Sequence, residues 1–438
     1  VSRETCQRKT TGGRGAPQPI EPAPVRLLIE VDDAPASAGR LIRGGPALRH
    51  ACSDERAKAP QLRGWCPGAL RPMVSGDGLV VRVRPRLGRI AGGQLIAVAS
   101  AAQRFGDGEV QLTNRANLQI RGVAAADHPA LLAELDRHGL VDPDESAERR
   151  RNVIVTPFPD EAGETARIAA ALTAALADLP TLPAKFGFAV DTGRVRLLAE
   201  TPADIRIERA ADGGIILRAD GAGTGRPVRA DAAAGAAVDL ARWFLSAGGV
   251  RAGRGRMAAL VRRRRPPVGP EQAEPAPSAA APTPGPIPGG HLVGFPFGAA
   301  PAAALLALGR LGDVRVTPWR MLAVETSLAP PPLDGVLLAA DPLTQVSACS
   351  GAPFCPQAAG STRDLARALA PAVPAGSHLH VAGCPKGCAH AAPADLTIVA
   401  TPRGYDLVAR GAAADAPRVR DLRPADLADG ALFREALA

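Results

Sequence analysis

The sequence predicts an α+β protein built as a duplicated, pseudo-twofold structure, and three observations point there. Runs with period-two apolar alternation are interleaved with stretches whose apolar residues recur at helical spacing. A Pro/Ala-rich tract at 261–290, VRRRRPPVGPEQAEPAPSAAAPTPGPIPGG, cannot form a core and reads as an exposed linker joining two halves. GEVQLTNRANLQIRGV before the tract and DVRVTPWRMLAVETS after it share the order acidic, Val, polar, hydrophobic, Thr. Arg115 and Arg320 come shortly after the two threonines, and each segment follows an apolar helical stretch, as in an internal repeat. A duplication of this kind leaves a central cleft, the natural place for a large ligand.

The elements follow in order. Residues 1–25 lack periodicity, are rich in Gly, Pro and charge, and read as a disordered extension. From Gly78, GLVVRVRPRLGRI alternates apolar and basic residues and predicts a strand with its arginines on one face. IAGGQLIAVASAAQRFG predicts a helix, EVQLTNRANLQIRGV a strand, and HPALLAELDRHGL a helix with Pro near its start and Gly after its histidine. These make a first half-domain over 26–130. A second unit, 145–260, opens with the short strand RNVIVTPF and a helix at 162–178. KFGFAVDTG, the short strands VRLLAE, IRIERA and GIILRA, and a helix at 231–247 complete it. Beyond the tract, HLVGFPFG, the helix AAPAAALLALGRLG and the strand DVRVTPWRMLAVETS form a half-domain at 291–345. Residues 346–438 carry the helix STRDLARALAPAV and the strand SHLHVAG.

A chain of 438 residues is long for a single core, so two to four domains are expected. Its formal net charge of +9 implies an anionic partner. Aromatic residues are only 3% and Tyr405 is the single tyrosine, so platforms for stacking bases are scarce and a small polyanion competes with nucleic acid as that partner. No apolar run reaches the length of a membrane span. Residues 1–20 are polar, carry Arg3, Arg8, Lys9 and Arg14, and do not resemble a secretory signal, so a soluble, cytoplasmic protein is expected.

Four cysteines carry the strongest chemical signal. Cys349 and Cys355 form C-x5-C, Cys384 and Cys388 form C-x3-C, and 28 residues separate the pairs. Two pairs among small, turn-forming residues suit a [4Fe-4S] cluster held by loops, while structural zinc is the rival for the same ligands. Disulfides fit poorly with an odd total of seven cysteines, and Cys6, Cys52 and Cys66 read as inert or buried thiols. Gly383 and Gly387 serve either as turn formers or to let backbone amides approach the sulfurs. Arg82, Arg84, Arg86 and Arg89 line one stretch, with Arg115 and Arg121 in the neighbouring predicted strand. They make either a solvated sheet face or a receptor for several carboxylates, which the guanidinium fork binds in pairs. His378, His380 and His390 flank the second cysteine pair and offer an iron ligand, a proton donor or plain structural groups.

Taken in order, GDGLVVRVRP, LTNRANLQIRG, RNVIVTPF, PAKFGF, TPWR, ACSGAPFCPQA and HVAGCPKGCAH resemble the nitrite and sulfite reductase superfamily over most of residues 60–410. Within it they resemble the branch that acts on precorrin-3A in aerobic cobalamin biosynthesis. The resemblance implies ferredoxin-like half-domains around a central cleft. It also implies that Cys349, Cys355, Cys384 and Cys388 hold a [4Fe-4S] cluster in the 346–438 unit, with Cys388 the bridging ligand in sirohaem enzymes. Arg82, Arg84, Arg115 and Lys185 take the catalytic positions, and Arg82, Arg84, Arg115, Arg121 and Arg320 the contacts to substrate carboxylates. Sulfite reductases tend to carry a second lysine two residues after the first, where this chain has Gly187, which argues against reduction of a small oxyanion. The implied reaction is insertion of oxygen from O2 at C20 of precorrin-3A, with an external electron donor and a mononuclear non-haem iron, and the ring A acetate closes a γ-lactone. The alternative is a sirohaem-dependent nitrite or sulfite reductase. A third reading, of another class, is an iron-sulfur or zinc protein whose arginines bind nucleic acid, and the absence of a recognised nucleic-acid module weighs against it.

Overall fold

The computed structural model describes residues 66–158, 163–267, 269, 271–428 and 430–438. The expectations for residues 1–25, for the start of the 26–130 half-domain and for Cys6 and Cys52 lie outside them. The chain forms four successive units. The first holds β1 (Met73–Ser75), β2 (Gly78–Val83), β3 (Arg89–Ile90), α1 (Gly92–Phe105), β4 (Glu109–Leu112), β5 (Leu118–Val123) and α2 (His128–Arg137). The second holds α3 (Glu145–Arg150), β6 (Val153–Val155), α4 (Glu164–Ala175), β7 (Phe188–Asp191), β8 (Ile205–Arg209), β9 (Ile215–Ala219), β10 (Arg226–Val228), α5 (Ala233–Ser246) and α6 (Met257–Val261). The third holds β11 (Gly285–Ile287), β12 (Gly290–Gly294), β13 (Ala299–Pro301), α7 (Ala302–Leu311), β14 (Val314–Val316) and β15 (Met321–Glu325). The fourth holds β16 (Val346–Ala348), α8 (Arg363–Leu369), β17 (Leu379–Ala382), β18 (Ala394–Thr401), β19 (Gly404–Gly411), β20 (Val419–Leu422), α9 (Pro424–Leu427) and α10 (Ala431–Leu437).

The duplication runs through all four units. The first and third build antiparallel sheets of order β1-β2-β5-β4-β13 and β11-β12-β15-β14-β3. Each sheet therefore takes its last strand from the other half: β13 pairs with β4, and β3 pairs with β14. The second and fourth build sheets of order β10-β9-β8-β7-β6 and β16-β17-β18-β19-β20. In each, three parallel strands are followed by two antiparallel ones. A helix, α4 or α8, carries the chain from the first parallel strand to the second.

One apolar cluster fills the space between the two half-domain sheets. Val81, Val83, Leu118 and Ile120 from the first half join Leu305, Leu308, Leu322 and Val324 from the second, with Leu95 and Val98 of α1 between them. The helices α1 and α7 meet where neither chain has a side chain: a Cβ on Gly92 would lie 2.3 Å from the Gly309 carbonyl oxygen, and one on Gly309 would lie 2.8 Å from that of Gly92. Only glycine lets the two backbones approach so closely.

Each of the two repeated segments, read as one strand, is instead a hairpin. In the first, the Thr113 hydroxyl accepts the N–H groups of Arg115 and Asn117, and the Thr113 N–H donates to the Asn117 carbonyl. Ala116 takes a left-handed φ of 52°. In the second, the Thr317 hydroxyl accepts the N–H groups of Trp319 and Met321, and Arg320 takes a left-handed φ of 62°. The turns are thus built alike, but Arg115 matches Trp319 and Arg320 matches Ala116. Local side-chain capture of backbone amides by a threonine is invisible to periodicity. VRLLAE is likewise a turn, because the buried Asp191 carboxylate takes the amides of Leu197 and Leu198 at 2.7 Å each. The Pro/Ala-rich tract is mostly exposed, yet Ala273, Pro275 and Ser278 bridge to Gly225, Ala210 and Arg196 of the second unit.

Replacing Gly309 by Val forces α7 off α1, and overpacking of this kind costs about 1–3 kcal/mol. The expected result is a clearly lowered Tm by circular dichroism with an unchanged far-ultraviolet spectrum at 20 °C, whereas an unaltered Tm would refute the close helix contact.

Candidate functional site

Arg82 lies on β2 with Arg84 just beyond it, and both are buried. The core side of β2 is taken by Val81 and Val83, so Arg82 emerges on the opposite face. With the Gln119 amide oriented to present its oxygen, Arg82 donates to it through Nε and Nη2 at 3.2 and 2.8 Å. Its other neighbour is Cys66. Arg84 donates weakly to the Pro67 carbonyl and lies 3.8 Å from the Glu148 carboxylate, while its Nε has no hydrogen-bond partner. Arg115, carried by the first hairpin turn, donates to the Lys185 carbonyl at 3.0 Å and leaves Nη1 buried without a partner.

Burial pushes all three guanidinium groups down from their ordinary value. Arg84 falls to about 10, with the Arg82 charge adding to the burial effect and Glu148 opposing it. For Arg82 burial comes first, Cys66 opposes it, and the Arg115 charge reinforces it. For Arg115 the same burial effect leads, again opposed by Cys66. The three buried guanidinium groups face the buried carboxylates of Glu148 and Asp204, yet Arg84 Nε and Arg115 Nη1 keep no hydrogen-bond partner, and incompletely paired buried charge of this sign attracts an anion.

Glu148 is the counter-charge that sequence reading missed. It sits on α3, whose sequence ESAERR looks like a solvated helix, and is 3% exposed. Its carboxylate accepts the N–H groups of Ala69 at 2.6 Å and Leu70 at 3.3 Å, so it ties the chain before β1 to the arginine cluster. Cys66, read from sequence as inert, lines a small recess with Arg84, Glu148 and Ala184. Neither residue has a local signal, because only the tertiary fold brings them to the arginines.

Gly187 closes the cluster from the side of the second sheet. Its N–H donates to the buried Asp204 carboxylate at 3.0 Å, and Asp204 also accepts from the Met257 N–H and from Arg256. A Cβ at position 187 would lie 2.6 Å from the Asn152 side-chain amide and 3.2 Å from Arg115 Nη1. No side chain fits there. The Lys185 side chain, two residues earlier, is exposed.

The remaining sequence candidates lie elsewhere. Arg121 is held by Asp77 through two hydrogen bonds of 2.9 and 3.0 Å and by Ser75, at the outer hairpin of the first sheet. Arg86 and Arg89 follow the strand, and Arg89 pairs with Glu325 and Asp313 across the half-domains. Arg320 points into a second cleft, where it donates to Ser347 Oγ at 3.2 Å and to the Ala389 carbonyl. Ser347 Oγ in turn lies 3.1 Å from His378 Nε2. His378 packs on His390 with ring centroids 4.7 Å apart, and His380, fully buried behind them, has no partner at either ring nitrogen.

The cysteine expectation is corrected by the geometry. Cys349 follows β16, Cys384 follows β17, and the Gly383 N–H donates to Cys349 Sγ at 3.3 Å. The four residues thus gather at the carboxyl-end loops of the fourth sheet, with the loop after Cys349 resting on the β1–β2 turn through Ser75 and Phe354. Sharing a sheet edge does not bring the sulfurs into a ligand set: among the described residues no group of three or more His, Cys, Asp or Glu side chains is placed to hold a metal ion. Burial, and then the neighbouring cysteines, push the Cys384 and Cys388 thiols up, with Lys386 opposing. The [4Fe-4S] cluster expected on Cys349, Cys355, Cys384 and Cys388, the zinc alternative, the mononuclear iron and the sirohaem of the alternative reading do not fit these residues. The iron-sulfur and metal-binding description of the 346–438 unit is withdrawn with them.

Two exchanged half-domain sheets around one core, with arginines gathered beside a hairpin turn, define a nitrite/sulfite-reductase-like protein. Residues 71–138 match the nitrite/sulfite reductase ferredoxin-like half domain. The NirA protein of Mycobacterium tuberculosis has the same fold, with a TM-score of 0.50 over 80% of this chain and 79% of that one at 18% identity. A ferredoxin–nitrite reductase of Leptolyngbya laminosa is 30% identical over 105 residues, 24% of this chain and 20% of that protein. A precorrin-3B synthase of Sinorhizobium sp is 31% identical over 413 residues, covering 83% of this chain and 86% of that protein. The chain belongs to the precorrin-3B synthase family, among enzymes of oxidoreductase type. Among the described residues, no helix is long and apolar enough to cross a membrane.

Two measurements check the site. Glu148→Ala leaves the buried Arg84 charge uncompensated, a change that typically costs about 3–5 kcal/mol. Its Tm should fall far more than that of Glu145→Ala, a half-exposed acid on the same helix. The histidines set a pH dependence. Burial, then His390 and Arg320, lower His378 to about 4, with Asp395 opposing. Burial, then His390, His378 and Arg320, lower His380 to about 3. Unfolded histidine titrates near ~6.5, so their contribution is complete above that pH and is lost as pH falls through 6.5 toward 4 and 3. His380→Leu should therefore narrow the Tm gap between pH 7.5 and pH 5, and a gap as wide as in the parent protein would contradict the assignment.

Proposed function

We propose that this protein inserts an oxygen atom from O2 at C20 of precorrin-3A and closes the ring A acetate into a γ-lactone. The second oxygen atom leaves as water, with two electrons from an external donor and two protons. Arg82, Arg84 and Arg115 supply the substrate-binding surface. Their guanidinium groups are anchored on one side by Gln119, Glu148 and the Lys185 carbonyl, and they meet acetate and propionate carboxylates of the macrocycle on the other. The unpartnered Nη1 of Arg115 is the donor left for those carboxylates. Lys185, exposed at the rim, adds a mobile cation for a further carboxylate or a proton during oxygen reduction.

The observation that carries this reading over oxyanion reduction is Gly187. Sulfite reductases tend to carry a second lysine at that position, and here Asn152 and Arg115 fill the space that any side chain would need. A site without that cation has less to offer a small, highly charged oxyanion, while Arg115 gains room beside the backbone to face a large polycarboxylate.

Purified protein incubated with precorrin-3A, isotopically labelled O2 and a chemical reductant should form product carrying one labelled oxygen atom. Arg115→Ala should raise KM by roughly tenfold to a hundredfold, the loss of one charge-assisted pair worth about 1.5–3 kcal/mol. Absence of labelled product together with ammonia formation from nitrite would replace this reading with the reductase one.

A further inference from the structure

The duplication gives each half an equivalent set of positions, and the strand registers show which residues correspond. Val83 pairs with Leu118, and Val293 pairs with Leu322, so Arg82 and Arg84 of the first half match Leu292 and Gly294 of the second. Val153 pairs with Phe188, and Val346 pairs with Leu379, so Gly187 matches His378. The arginine cluster around Gly187 therefore has a counterpart around His378, and this counterpart is a cavity of about 560 Å³. Its walls include Phe295, Phe297, Trp319 and Met321, with Arg320, Ser347 and His378 forming a polar end.

We infer that this second cleft binds a small organic anion with a flat apolar body and a single charged head. The volume falls within the ~300–1,000 Å³ of sites for drug-sized molecules. Where the first half gathers three arginines, the second has Leu292, Gly294 and Trp319 at the matching positions and a single arginine, Arg320, one residue further along its turn, so it matches one anionic group and an apolar remainder. Arg320 makes no ion pair among the described residues; its protein partners are a hydroxyl and a carbonyl. Burial lowers its proton affinity, as does the nearby Arg363 charge, and both effects are relieved by an incoming anion. Exposed Glu200, from a loop of the second unit, is the one acidic residue on the lining among the described residues. The anionic head goes to Arg320, Ser347 and His378, and the flat body lies between Trp319 and the two phenylalanines. This site goes beyond the precorrin-3A reading and does not depend on it.

The probe is 1-anilinonaphthalene-8-sulfonate, a flat aromatic monoanion, titrated into the full-length protein. One equivalent should bind saturably and quench tryptophan emission, and Trp319→Phe should remove the quenching, since the other tryptophans are Trp65 and Trp243. Arg320→Gln should weaken the dye at least tenfold, while Arg115→Ala should leave its affinity within twofold. Where Arg320→Gln also lowers Tm, Thr344→Trp, an exposed lining position, serves instead by narrowing the cavity and should weaken the dye similarly. Absence of saturable binding, equal affinity in Arg320→Gln or in Thr344→Trp, or a loss caused by Arg115→Ala overturns the inference.

Discussion

The reciprocal exchange of β3 and β13 is the constraint on which the rest of the structure depends. Each half-domain sheet is completed by a strand from the other half, and α1 and α7 are pressed together at Gly92 and Gly309. The result is a single apolar cluster shared by both halves, not two cores in contact. With the two hairpin turns fixed to that cluster, Arg115 and Arg320 are held at set positions relative to the second and fourth sheets. A buried guanidinium is useful for recognition only when its backbone cannot drift, and the shared core supplies that rigidity.

The two clefts show how one architecture diverges through a handful of side chains. The hairpin turns use the same threonine geometry, yet shifting the arginine by one residue, from the third position to the fourth, moves it into the left-handed backbone conformation. At the facing edge, Gly187 is caged by Asn152 and Asp204, while His378 occupies the matching place beside Ser347. The first cluster consequently gathers three buried arginines beside Glu148 and Asp204, and the second cleft is largely apolar. The two halves share strand order and register; their chemistry is set by what stands at these few positions.

Much of this was legible in the sequence, and what was not has a physical reason. The helices at 92–105 and 302–311 and the repeat around the threonines follow from apolar spacing and motif order, which are local. The family resemblance named Arg82, Arg84 and Arg115, and the fold brings them together. Arg121 shares their strand pattern, but its partner Asp77 lies across a hairpin that spacing cannot detect. Glu148 was hidden inside a charged helix because burial depends on what covers it. The cysteine spacing was a correct sign of loops at one sheet edge and a misleading sign of ligand geometry, since spacing along a chain does not fix where sulfurs point. The strand exchange leaves no trace in composition: β3 and β13 are two and three residues long.

That exchange also dictates an order of events during synthesis. When the first half leaves the ribosome, β4 still lacks the neighbour that Ala299–Pro301 will provide, and α1 has no α7 to cover it. An open strand edge beside an apolar helix must wait while some two hundred further residues are made, which is the circumstance in which nascent chains aggregate or recruit chaperones. The second unit, with its own apolar cluster, fills that interval and can fold first. The shared core is thus assembled late, from segments far apart in the chain, and a protein of this design fixes its two hairpin turns only when the second half has arrived.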